Sequence, residues 1–131
     1  MIKIIDSYAI LAFLEKEPGY QKVTSYFSLA VEKEENLLLS AVNYGEVYYI
    51  VLREYGIEKA KEIEEMMKVL PIDIVDVNAE LAKEAGSIKA HKKLSYADCF
   101  AAALAKVRNG EVITGDKEFK CLQGEIRIAW I

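Results

Sequence analysis

Aspartate is the scarce acid of this chain. Of 21 acidic residues among 131, sixteen are Glu and only five are Asp. The Glu residues cluster with Lys in stretches of helical period, where they read as solvated faces. The aspartates fall elsewhere. Asp6 ends the apolar run MIKII, Asp98 sits inside SYADCFAAALA, and Asp116 follows VITG. Asp73 and Asp76 flank a third β-branched run and read as solvent-facing. One glutamate stands apart from the rest: Glu46 lies among Tyr44, Val47, Tyr48 and Ile50, a face that is not freely solvated. Carboxylates gathered in one place raise each other's pKa and cannot all ionise without a compensating cation. Hard divalent ions that take oxygen ligands, Mg²⁺ or Mn²⁺, are the natural partner. Such a site lowers the pKa of a bound water and stabilises charge on a phosphoryl oxygen. Each acid also has a plain structural use. Asp6 fits an N-cap, Asp98 completes a capping box with Ser95, Asp116 fits a strand-to-helix turn, and Glu46 fits an ordinary helix surface.

The acids meet only if the intervening elements bring them together. MIKII reads as a short buried strand, and SYAILAFLEKEPG after it as a short helix stopped by Pro-Gly. Residues 20–34 carry helical spacing at Tyr20, Val23, Phe27, Ala30 and Val31. LLLS is a second strand, with Ser40 capping a helix to about Tyr55 that Gly56 ends. Residues 57–69 read as another helix, stopped by Pro71. IDIVDV is a third strand, and Asn78 caps a helix to about Ala90. A basic knot, KAHKK at 89–93, precedes Ser95 and an alanine-rich helix to about Arg108. Asn109-Gly110 is a turn, EVIT a fourth strand, GDKEF a short helical start, and IRIAWI a fifth strand. Short buried strands alternating with helices predict an α/β fold with a mostly parallel sheet covered on both faces. Ligands of such sheets bind at the carboxyl ends of the strands. Asp6 and Asp116 follow strands directly. Glu46 lies six residues past Ser40, ~9 Å along its helix, and helical side chains lean back toward the N-terminus. Asp98 falls in a first helical turn, which tolerates negative charge. All four can face one sheet edge.

The totals bound the alternatives. At 131 residues and 53% apolar, the chain reads as one globular domain over 1–131. No apolar run approaches a membrane span of ~20 residues, and no secretory signal is visible. Cys99 and Cys121 form no C-x-x-C pair and no zinc pattern with the single His91, so a cytoplasmic protein with reduced thiols is expected. The net charge of −4 argues against broad nucleic-acid affinity, although bound cations reverse the local field of an acidic site. No glycine-rich phosphate loop occurs. Lys89, Lys92 and Lys93 read as a solvated face, with phosphate contact as the sharper alternative. The tyrosines at 44, 48, 49 and 55 read as helix packing or an interface.

Four segments in order resemble the PIN-domain family, and within it the VapC-like toxin ribonucleases. MIKIIDSYAILAFL is similar to the family's opening strand, acid, Ser/Thr and helix. LLLSAVNYGEVYYIV resembles its second segment, with a Glu in the helix after strand two. LSYADCFAAALAK resembles its third, and VITGDKEF its fourth, a Thr or Ser two positions before an Asp. The resemblance implies an α/β/α sandwich on a central five-stranded sheet with strand one in the middle. It implies Asp6, Glu46, Asp98 and Asp116 as catalytic and metal-binding acids, with Thr114 and Ser7 as auxiliary polar groups. Glu118, the nearest candidate for a further acid, stays outside that set. The implied activity is Mg²⁺- or Mn²⁺-dependent hydrolysis of RNA by metal-activated water, leaving a 5′-phosphate and a 3′-hydroxyl. The implied partners are an RNA substrate, a cognate antitoxin and a second copy of the chain as a homodimer. The alternatives are a PIN-like nuclease of RNA processing, a receiver-like signalling domain and a non-catalytic acidic binding module. The receiver reading lacks paired acids after strand one and a strand-end Lys.

Overall fold

A computed structural model describes residues Met1–Ile131. The strands are β1 (Lys3–Ile5), β2 (Leu37–Ser40), β3 (Ile72–Val75), β4 (Glu111–Thr114) and β5 (Arg127–Trp130). The helices are α1 (Ser7–Glu15), α2 (Tyr20–Lys33), α3 (Ala41–Tyr55), α4 (Ile57–Val69), α5 (Ala79–His91) and α6 (Tyr96–Arg108), with a 3-10 helix at Lys117–Leu122. The strands form one sheet in the order β3-β2-β1-β4-β5, and every pairing is parallel. The strand that ends in Asp6 is therefore the central one. The expected third strand, IDIVDV, is shorter than its pattern. It pairs only with β2 as an edge strand, and Asp73 lies inside it, exposed and bonded to Asn36 Nδ2 at 2.9 Å.

The pleat sorts neighbouring side chains to opposite faces. Ile4 and Val112 point to the layer of α5, α6 and the 3-10 helix, where they meet Leu94, Phe100 and Phe119. Ile5, Leu37, Leu39 and Ile113 point to the layer of α1 to α4, where they meet Ile10, Val23, Phe27, Val47 and Ile63. Strands buried on both faces read as continuous apolar runs, which is why MIKII, LLL and EVI were legible. Helix α6 is the most deeply buried helix: Asp98 through Ala105 are all buried. Its alanines let it approach the sheet and α5 closely, at the cost of little side-chain entropy.

The caps fall where the side chains allow them. Ser40, Asn78 and Ser95 accept from the backbone N–H groups of Asn43, Leu81 and Asp98. Helix α6 ends on Asn109 in the left-handed region, φ 51°. Gly110 follows because the chain there runs against β1. A Cβ on Gly110 would stand 2.7 Å from the Ile2 carbonyl oxygen and from Ile4 Cδ1.

Candidate functional site

The acids arrive at the carboxyl edge of the sheet on four different segments. Asp6 leaves β1 and caps α1, its Oδ1 accepting from the Ala9 N–H at 2.8 Å. It is 0% exposed, and its Oδ2 has no hydrogen-bond partner. Thr114, at the end of neighbouring β4, is also fully buried. Its hydroxyl lies beside the Asp6 carboxyl and accepts from the Asp116 N–H at 3.0 Å. Asp116 caps the 3-10 helix through the Glu118 N–H at 2.9 Å. Asp98 sits in the first turn of α6 and is 7% exposed. Its N–H donates to Ser95 Oγ at 3.2 Å.

Carboxylate oxygens of Asp98, Asp116 and Glu118 all lie within 4.8 Å of one another. Asp6 stands in the buried position behind Asp98 and Asp116, whose charges both act on it. Glu46, half-buried on α3, lies outside that tight group but close enough for its charge to act on Asp98. Burial pushes the Asp6 carboxyl up to about 8. Thr114 and the Ala9 N–H pull against that rise, and the charges of Asp98 and Asp116 add to it. Asp98 is pushed up to about 7, again mainly by burial. Ser95 opposes the shift, and Asp116 and Glu46 reinforce it.

A buried carboxylate oxygen with no donor, facing two more acids, is unfavourable on its own. A divalent cation removes both costs at once, since it supplies the missing partner and cancels the repulsion. The donor set is all oxygen, which suits a hard ion. The residues present therefore fit a bound divalent metal.

Sequence reasoning passed over two residues of this edge. Glu118 was set aside, yet it stands with Asp98 and Asp116. Its signal was the spacing D-x-E, in which the first acid caps the turn that carries the second. Asn43 was not considered at all. It is 0% exposed and joins the segments that bear the acids. Its Nδ2 donates to Ser7 Oγ at 3.1 Å and to the Ala97 carbonyl at 3.1 Å. Its Oδ1 accepts from Ser40 Oγ at 2.7 Å, and its own N–H donates to that hydroxyl at 3.1 Å. Ser7 Oγ donates in turn to the Asn43 carbonyl at 3.2 Å. The Ala97 carbonyl can only accept, so the amide orientation is forced. Ser7 adjoins Asp6 and Ala97 adjoins Asp98, so one amide sets the spacing of both. Ser7, taken from the sequence as an auxiliary group, has committed its hydroxyl to Asn43.

The basic knot is tied into the fold. Lys89 Nζ donates to the Leu94 carbonyl at 2.8 Å, and Lys92 pairs with Glu125 at 2.6 Å. Lys93 alone of the three has no partner within the chain.

The PIN domain family model matches residues 3–124. The chain belongs to the PIN domain family. It is 27% identical over 124 residues to ribonuclease VapC30 of Mycobacterium tuberculosis, covering 89% of this chain and 92% of that protein. Its fold is similar to VapBC2 from Rickettsia felis bound to a promoter DNA fragment, with TM-score 0.80, 16% identity and 98% of both chains covered. A toxin–antitoxin complex from Klebsiella pneumoniae matches with TM-score 0.73 and 14% identity, over 98% of this chain and 96% of that one.

Two outcomes follow from this geometry. Acids whose folded pKa is raised bind more protons in the native than in the unfolded state between the two pKa values, so stability falls as pH rises through that window. The metal-free protein should melt at least ~4 °C higher at pH 5 than at pH 8. Asp6→Asn should flatten that dependence, and millimolar Mn²⁺ should raise the pH 8 melting temperature; calorimetry with and without chelator checks both. Asn43→Ala leaves the Ser7 and Ser40 hydroxyls and the Ala97 carbonyl short of partners. It should cost about 2–4 kcal/mol in denaturant unfolding.

Proposed function

We propose that this protein is a divalent-metal-dependent endoribonuclease acting as the toxin of a toxin–antitoxin pair. The observation that carries the reading is the Asp6 carboxylate, wholly buried, with one oxygen lacking any partner beside Asp98 and Asp116. The cap uses only Oδ1, and Oδ2 makes no hydrogen bond, although the Thr114 hydroxyl lies beside the carboxyl. Similarity to a protein named ribonuclease VapC30 supports the activity. Likeness to a toxin–antitoxin complex supports the role.

Asp98, Asp116 and Glu118 would hold Mg²⁺ or Mn²⁺, with the buried Asp6 beside Asp98 and Asp116 and Glu46 at the margin. A bound ion of this kind supplies an activated water and neutralises charge on the scissile phosphate. The chain's own part is placement. Thr114 orients Asp116 through its backbone N–H and lies against Asp6. The Asn43 bonds tie α3 to the end of β2, the start of α1 and the start of α6. Ser95 caps α6 and fixes the Asp98 backbone, whose N–H donates to its hydroxyl at 3.2 Å.

The partners are an RNA strand, an antitoxin chain and a second copy of this protein. The helical pair α3–α4 offers apolar surface for protein contacts. Tyr49, Leu52, Tyr55 and Ile57 are between 37% and 56% exposed there. A peptide laid over the acidic edge would inhibit most simply by placing an Arg against the carboxylates.

Purified protein should cleave structured RNA in Mn²⁺ and stop when the ion is chelated. Asp6→Asn and Asp98→Asn should each lose about a hundredfold or more in rate. Equal cleavage by all three proteins would remove these acids from the mechanism.

A further inference from the structure

Tyr8 occupies an unusual position. It lies two residues past Asp6 in the first turn of α1, and it is 45% exposed. Its ring rests against one neighbour. It lies on the backbone of Gly115, between Thr114 and Asp116. A Cβ at Gly115 would fall onto Tyr8 Cε1, 3.0 Å from Cδ1 and 3.1 Å from Cζ. The backbone of Gly115 does not require glycine, because its φ is outside the left-handed region that Gly19, Gly56 and Gly124 adopt. What requires glycine there is the ring.

The other exposed tyrosines have visible occupations. Tyr49 lies under Arg53, 5.4 Å from the ring centroid. Tyr55 donates its hydroxyl to Glu15 at 3.0 Å. Tyr96 leans edge-on against Phe100, with ring centroids 5.0 Å apart. Tyr8 makes no aromatic or cation contact, and its hydroxyl makes no hydrogen bond within the chain. It therefore presents an unpartnered aromatic face, resting on Gly115 next to the residues that carry Asp6 and Asp116.

Aromatic faces beside a phosphodiester site take unstacked nucleobases, since stacking needs a π-face and no hydrogen bond. Lys93 and the exposed Lys117, between Asp116 and Glu118, have no ion-pair partner within the chain and can meet phosphate. An open ring beside the acids adds affinity of a kind that needs no positive charge. We propose that Tyr8 is the platform of a nucleobase subsite, taking an unpaired base adjacent to the scissile phosphate. This subsite rests on the ribonuclease reading above.

The test uses a short single-stranded RNA whose cleavage position by the wild-type protein is mapped. Abasic nucleotides are then placed singly across the positions flanking the scissile bond. Tyr8→Ala should raise KM about tenfold, and Tyr8→Phe, which keeps the ring, should stay within about twofold of wild type. At one flanking position the abasic strand should cost the wild type as much as Tyr8→Ala does, and the two losses should not add. Additive losses at every position would make Tyr8 a mere support for the Gly115 loop and overturn the subsite. So would an unchanged KM in Tyr8→Ala, or a Phe variant as poor as Ala. Wild-type protein that cleaves no RNA would overturn the ribonuclease reading, and the subsite with it.

Discussion

The oxygen Oδ2 of Asp6 is shut away from water and makes no hydrogen bond, with only the Thr114 hydroxyl lying beside the carboxyl, and the carboxyl edge of the sheet is arranged around that constraint. Burying a charged oxygen unpaired costs several kcal/mol, so without a cation the group takes up a proton, as its pKa near 8 reflects. Bringing Asp98 and Asp116 close adds repulsion to desolvation. A fold that bears such a cost at the end of its central strand does so for a ligand, since Asn or Ser would serve as the cap of α1 without the penalty.

Holding the acids at that spacing falls to uncharged groups. The Asn43 amide ties Ser7, Ser40 and Ala97 together with both of its N–H donors and its oxygen in use. A fully satisfied buried network of this kind specifies one arrangement of its neighbours. Thr114 does the same between β4 and Asp116. The site is therefore built from a rigid polar frame of neutral side chains and a set of acids that need an ion to be comfortable.

Much of this was legible in the residues. MIKII, LLLS and EVIT are strands buried on both faces, and their β-branched or leucine runs say so. Ser40, Asn78 and Ser95 announced their helices because a cap is a local event. Asp6, Asp98 and Asp116 stood out because aspartate is rare in this chain and each falls at an element's edge. Asn43 was not legible. Its partners lie 36 and 54 residues away, and a lone Asn in a helix has no pattern. Glu118 was legible only as the nearest candidate for a further acid, because it looks like every other Glu beside a Lys. Tyr8 was hidden because periodicity does not tell an exposed ring resting on a glycine from one packed in a core. The basic knot reads as a solvated face, and two of its lysines are committed to the Leu94 carbonyl and Glu125, partners that sequence spacing does not show.

The central claim is that these acids form one cation site, and anomalous diffraction from crystals soaked in Mn²⁺ tests it most directly. The expected result is a manganese peak coordinated by oxygens of Asp98 and Asp116, with Asp6 reaching the ion itself or through one water. A soaked crystal with no manganese among these carboxylates, and with Asp6 Oδ2 paired to a protein donor instead, would contradict it.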